Sequence, residues 1–185
     1  MIDISFDEAN MQRAIGACLI MPKEVKKASA SAINRTLTHV RKRASVHVRE
    51  RYLAKAAAVK KSFTIKKANS GHLAGVAISK GASLPLTAFK ITKPKRGPMR
   101  VKVLRSGSPK PVQGLFSRRF PKGYEGPMMR TSLKRYPLKT PFGPAIPVMI
   151  ENDQVVGKIE QDADKFFNAR FAHEIDYRLS KWWGG

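Results

Sequence analysis

Residues 24–50 read EVKKASASAINRTLTHVRKRASVHVRE. Val25, Ile33, Leu37, Val40, Ala44 and Val48 fall mostly three or four residues apart in that stretch, which sets them on one stripe of an α-helix. Lys26, Lys27, Arg35, Arg41, Lys42, Arg43 and Arg49 lie opposite. The spacing predicts a long amphipathic helix with one face to bury and a cationic face left to solvent. Pro22, just ahead, suits a first turn but has no N–H for a helix running through it, so a separate, shorter helix is expected over residues 7–20.

On the C-terminal side the period changes. Residues 52–61 (YLAKAAAVKK) are strong helix formers, and Phe63-Thr-Ile-Lys66 then begins a β-branched, alternating pattern. Residues 73–79, 84–91 and 99–104 are short apolar runs divided by Gly and Pro, as in a meandering antiparallel sheet. Residues 93–127 hold Pro94, Pro98, Pro109, Pro111, Pro121 and Pro127 with five glycines, a density that predicts long loops or an extended arm projecting from the core. After an extended stretch at 135–150, residues 162–183 bring Phe166, Phe167, Arg170, Phe171, Glu174, Ile175, Arg178, Leu179 and Trp182 round at helical spacing.

The expected fold is α+β: long N-terminal helices, a central antiparallel β-sheet with long basic Pro/Gly-rich loops, and a C-terminal helix packed on the sheet. With 185 residues and 42% hydrophobic content the chain can bury one ordinary core. No internal repeat or sharp compositional break divides it, so it reads as one domain over residues 1–185.

The net charge is +23, an excess that requires a polyanionic partner, neighbouring subunits or counterions. Its placement says more than its size: residues 51–124 contain 18 Lys and Arg and no Asp or Glu. Acids gather towards the ends, with Glu160, Asp162 and Asp164 at the expected start of the last helix, where negative charge complements the helix dipole.

No constellation for catalysis emerges. His39, His47, His72 and His173 are scattered, and none sits with Cys, Asp or Glu at metal-ligand spacing, so they are expected as surface or hydrogen-bonded core histidines. Gly71, Gly75 and Gly81 are not followed by the Lys-Ser/Thr of a phosphate loop, and no Ser nucleophile elbow appears. Neither a metal nor a cofactor is expected, and the protein does not read as an enzyme. Cys18 is the lone cysteine, which excludes an intramolecular disulfide, and beside Ala17, Leu19 and Ile20 it is expected as a buried thiol. No apolar run approaches the roughly 20 residues that cross a bilayer. Met1-Ile-Asp-Ile-Ser-Phe-Asp7 lacks the basic start of a secretion signal, so a protein made and used on the cytoplasmic side, away from membranes, is expected.

The basic arm supplies Lys93, Lys95, Arg96, Arg100, Lys102, Arg105, Lys110, Arg118, Arg119 and Lys122. Long cationic side chains on loops can follow a phosphate backbone without reading bases, which makes these residues candidates for contact with DNA. The other reading of the same residues is a solvated surface or an arm docked on an acidic neighbouring protein. Phe116, Phe120 and Tyr124 interleave with Arg118, Arg119 and Lys122, either stacking on unpaired bases or, more commonly for such aromatics, pinning a loop to its own core. Trp182 and Trp183 form a large apolar ending, suited to a subunit contact or to packing within the monomer.

Ser31-Ala-Ile-Asn-Arg-Thr36 on a basic N-terminal helix, Leu84-Pro-Leu86 in mid-chain, Arg135-Tyr-Pro-Leu138 and the terminal helix together resemble the prophage minor tail protein Z family. That family includes the tail-completion protein of lambda-like tailed phages. The resemblance implies a non-enzymatic virion component, added late in tail assembly near the head-proximal end, that serves joining of head to tail and placement of the DNA end. It also implies partners: copies of itself in a ring, hexameric by analogy with tails, the tail terminator, head-completion or connector proteins, and DNA in the tail channel. The rival reading, from charge alone, is a free sequence-independent nucleic-acid-binding protein, ribosome- or nucleoid-associated.

Overall fold

The computed structural model describes residues 7–119, 123 and 125–183. Helix α1 spans Glu8–Ile20, with the Asp7 carboxylate capping it by accepting from the Asn10 backbone N–H at 2.7 Å. The chain breaks at Met21 and restarts as α2, Pro22–Arg51, with the proline in its first turn. Most of the stripe expected on α2 is inside: Val25, Leu37, Val40, Ala44 and Val48 are buried, joined by Ala28, Ala32 and Thr36, and Ile33 is half-buried. Helix α3, Ala56–Ser62, follows from the Ala-rich stretch and gives way to strand β1, Phe63–Lys66.

The last helix, α5, runs over Asp153–Trp183, starting well before residue 162. Val155, Ile159 and Ala163 continue its apolar stripe towards the N-terminus and are buried, which is what holds the extra turns. Asp153 therefore occupies the first turn, and Glu160, Asp162 and Asp164 lie within the helix, where the dipole explanation no longer applies to them.

Helix α5 packs chiefly along α2, and α1 lies against both. One core cluster joins Ala17, Met21, Val25, Ala28 and Ala32 to Phe167, Phe171 and Ile175. The small alanines let the helices approach, and the α5 aromatics fill the space between them. A second cluster collects Val40, Ala44 and Val48 of α2, Val59 of α3, and Val155, Ile159 and Ala163 of α5. Into it drop Leu86, Phe89, Met99, Val101 and Leu115 from the strand region, with Ile146 and Met149. Val155, Ile159 and Ala163 of the C-terminal helix thus share this core with strand-borne side chains.

The strands are short and antiparallel. They are β2 (Val76–Ser79), β3 (Ser83–Pro85), β4 (Lys90–Thr92), β5 (Arg100–Lys102), β6 (Lys110–Pro111), β7 (Leu115–Arg119), β8 (Glu125–Arg130), β9 (Leu138–Lys139) and β10 (Phe142–Ala145), with helix α4 at Ile146–Ile150. Among the described residues they form separate ladders, β1-β2, β10-β3, β4-β5-β6 and β7-β8-β9, in place of one central sheet. Pro85, Pro94, Pro98, Pro109, Pro111, Pro127, Pro141 and Pro144 lack the donor that a ladder needs, so no strand extends far enough to unite the pieces. At Gly143 strand β10 crosses the face of Phe89 so closely that a Cβ there would stand 2.6 Å from the ring.

Residues 93–127 contain β5, β6, β7 and the start of β8, and Met99, Val101 and Leu115 anchor them in the core. Exposed loops connect these strands, turning at Gly97 and Gly107 with φ of 92° and 85°.

Two local readings change. Cys18 is exposed: Ala17 takes the buried position on α1, and the next residue, about 100° round the helix, faces solvent. The Ser31–Thr36 motif proves architectural. Ala32 sits in the helix seam, and the Asn34 side-chain amide clamps the backbone of Ala68, accepting from its N–H at 2.8 Å and donating to its C=O at 2.8 Å. No helix among the described residues is long and apolar enough to cross a membrane.

Candidate nucleic-acid interface

The β4-β5-β6 ladder pairs Lys90 with Lys102, Ile91 with Val101 and Thr92 with Arg100. Because side chains alternate along a strand, Ile91 and Val101 share the face that meets the core, and Lys90, Arg100 and Lys102 share the other. Like charges directly opposite each other are destabilising, and Lys90 facing Lys102 is such a pair. Lys110 stands across from Val101 on edge strand β6, and Lys95 and Arg96 are exposed in the turn between β4 and β5. Among the described residues, no carboxylate lies within salt-bridge distance of Lys90, Lys95, Arg96, Arg100, Lys102 or Lys110.

The remaining cations of the segment are engaged. Lys93 pairs with Glu125, which also accepts from the Ser117 hydroxyl at 2.7 Å. The Lys93 ammonium first, then Ser117, hold the Glu125 carboxyl below its ordinary range. Arg105 donates through Nε to the Arg49 carbonyl at 2.5 Å, placing its charge at the C-terminal, negative end of the α2 dipole. Arg118 donates to the Tyr136 hydroxyl at 2.8 Å and lies over that ring, 5.1 Å from its centroid. Arg119 faces Glu125 across the β7-β8 pair. Phe116 is half-buried under the Arg130 guanidinium, 5.8 Å from the ring centroid. Lys122, Phe120 and Tyr124 lie outside the described residues.

The structure brings Arg100, Lys102 and Lys110 together on one small ladder, adds Lys90, and links it to the β7-β8-β9 ladder through Lys93 and Glu125. Arg118 and Arg119 belong to that second ladder. Lys90 is not among the cations singled out from the sequence, although it lies in the run expected as a strand over residues 84–91. The roles of Glu125 and Tyr136 were not legible either, because their partners lie 32 and 18 residues away and meet them only through the packing of separate segments.

Four acids are engaged elsewhere, along the α2–α5 seam. Glu174, buried, accepts from Arg170 at 2.8 Å and lies 3.3 Å from Arg35. Glu24 meets Lys27 at 2.6 Å and Arg178 at 3.0 Å, and the Lys27 bond in particular holds its carboxyl below the ordinary value. His47 is buried with Nε2 at 2.7 Å from Asp162 and Nδ1 at 3.2 Å from Glu50. Asp162 also takes the Arg43 guanidinium at 2.5 Å. Burial pushes the Asp162 carboxyl up, but the bonds from His47 and Arg43 outweigh it and leave it below the ordinary range. Glu50 is lowered too, first by its bond from Lys158 and then by His47. His47 is thus a hydrogen-bonded core histidine, and no group of three or more potential metal ligands occurs among the described residues. Trp182 and Trp183 end α5 at 57% and 74% exposure, so within one chain the indoles do not pack inward.

Four of the acids are thus tied up between α2 and α5, while the outer face of the β4-β5 pair is cationic. A family model described as prophage minor tail protein Z (GPZ) matches residues 12–182. The chain belongs to that family. No curated protein and no solved structure matches. As a minor tail protein of the Z family it is a structural component of a phage tail, and its work lies among other virion proteins.

Proposed function

We propose that this minor tail protein is a tail-completion subunit, a head–tail connector component of the neck at the head-proximal end, that helps join head to tail and position DNA. The observation that carries the reading is the unpaired cationic face of β4-β5-β6 with its adjoining loops, a sequence-independent surface for phosphate. The whole chain acts as one domain and repeats as a ring, hexameric by analogy with its family, because a head-to-tail interface that closes needs only one pair of complementary patches. The exposed Trp182 and Trp183 supply apolar area for that contact, and the tail terminator and head-completion proteins are the neighbours above and below. Chemistry plays no part: the protein aligns and seals.

Imaging the neck of an intact virion tests this directly. The expected result is a ring of copies at the head-proximal end with the β4-β5-β6 face towards the channel. Placement at the distal tip, or absence from finished virions by mass spectrometry, overturns it. The same unpaired cations favour a second reading, a free nucleic-acid-binding protein. That reading requires tight binding of the purified chain to duplex DNA with a steep salt slope, whereas a connector subunit binds weakly until assembled.

A further inference from the structure

Residues of α2, α3 and α5 line an open groove of about 350 Å³. Arg35, Thr38, His39 and Lys42 come from α2 at positions i, i+3, i+4 and i+7, which brings them to one face. Lys60 closes the groove from α3, and Phe166 rises from α5. The His39 and Phe166 rings stack in parallel, centroids 4.0 Å apart and planes 9° apart, giving the groove a flat, rigid wall. Arg35 is steadied by Glu174 at 3.3 Å, but Lys42 and Lys60 have no carboxylate within salt-bridge distance among the described residues.

We propose that this groove is a second phosphate-binding site, taking the sugar-phosphate backbone of a nucleic-acid strand about one nucleotide at a time. Its volume lies at the lower end of the range for small-ligand sites, enough for one nucleotide unit. Cations from two helices face a phosphate from both sides, and the planar aromatic wall offers a surface for a sugar or base edge. An acidic peptide would use the charges but not the wall. Burial, then the neighbouring Arg43 and Lys42 charges, push the His39 imidazole below its ordinary value, and a bound phosphate would reverse the second of these effects. The inference goes beyond the neck reading and does not depend on where in the virion the protein sits.

The test uses the full chain and a fluorescein-labelled oligo-dT in anisotropy titrations over a range of salt. Lys42→Gln with Lys60→Gln is the groove variant; both side chains are exposed, so the fold is kept, with circular dichroism as the check. Lys95→Gln with Arg96→Gln is the strand-face variant. The groove variant is expected to bind about tenfold more weakly and to lower the slope of log affinity against log salt by roughly 1.4, two lost phosphate contacts at about 0.7 each on single strands. The His39 ring resonances of the wild-type chain are expected to move to a higher pKa on adding oligo-dT, and to stay put in the groove variant. Unchanged affinity and slope with silent His39 signals overturn the proposal, as does displacement of oligo-dT by polyglutamate at equal charge concentration. A loss confined to the strand-face variant also overturns it, while leaving the neck reading intact.

Discussion

The α2–α5 seam and the β4-β5-β6 face handle charge in opposite ways. In the seam, Glu24, Glu50, Asp162 and Glu174 each meet at least one cation, and the ion pairs flank a dry row of Phe167, Phe171 and Ile175. On the strand face, Lys90, Arg100 and Lys102 stand together with no acid opposite, over a core side that is apolar. Both regions bury hydrophobic residues, so burial does not separate them. In the seam charges pair with one another across the fold, and on the strand face the cations have no carboxylate partner among the described residues. A surface that sets Lys90 against Lys102 gives up a little stability, a cost that the proposed contact with a polyanion would offset.

Three experiments break or sharpen that contrast. The largest effect is expected in the seam: Phe171 is fully buried, and Phe171→Ala should cost about 3–5 kcal/mol, measured as a fall in urea midpoint at unchanged slope. A loss under 1 kcal/mol would mean that the helices are held by something other than this packing.

A smaller effect is expected from acid. The folded carboxyls of Glu24, Glu50 and Asp162 release their protons at lower pH than unfolded ones, so on acidification the unfolded chain takes up protons first. The stability they contribute is complete above the ordinary carboxylate range and is lost as pH falls below about 4. Thermal melts at pH 7, 5 and 3 should show little change over the first step and a drop over the second. Asp162→Asn should lower the melting temperature at pH 7 and shrink that drop; a drop of unchanged size would remove Asp162 from the account.

The smallest effect has the opposite sign. Lys102→Glu replaces a like-charge pair across the ladder by an opposite one and should stabilise the protein by about 0.2–1 kcal/mol, while weakening its binding to DNA. If the variant is destabilised, Lys90 and Lys102 do not repel in solution and the contrast between the two regions weakens.

Much of the helical architecture was legible in the sequence. The apolar spacing on α2, the break at Pro22, the Ala-rich α3 and the change to alternation at Phe63 each depend on neighbours within a few residues. The start of α5 was not placed, because Val155 and Ile159 are separated by Gly157, which weakens the local helix signal, and their burial depends on α2 and α4. Of the candidate site, the cationic character of residues 93–119 was plain from composition, but which cations remain unpaired was not. Lys93 meets Glu125 between two separate ladders and Arg118 meets Tyr136 in the loop ahead of β9, contacts set by how distant segments pack. The role of Asn34 was likewise hidden, since its partner Ala68 is 34 residues away.

The amino-acid sequence by itself determined the first three helices, the body of the last one, the excess of positive charge and the family, all properties of local spacing or of composition; α4, in a stretch expected to be extended, and the first turns of α5 were not among them. Only the tertiary structure decided where the charges are neutralised. Pairings such as His47 with Asp162, 115 residues apart, and Glu24 with Arg178, 154 apart, exist because two amphipathic helices bury their apolar faces against each other and carry their flanking charges into contact. In the acid-free middle, Lys93 reaches Glu125, and the cations on the short ladder of β4, β5 and β6 find no carboxylate among the described residues.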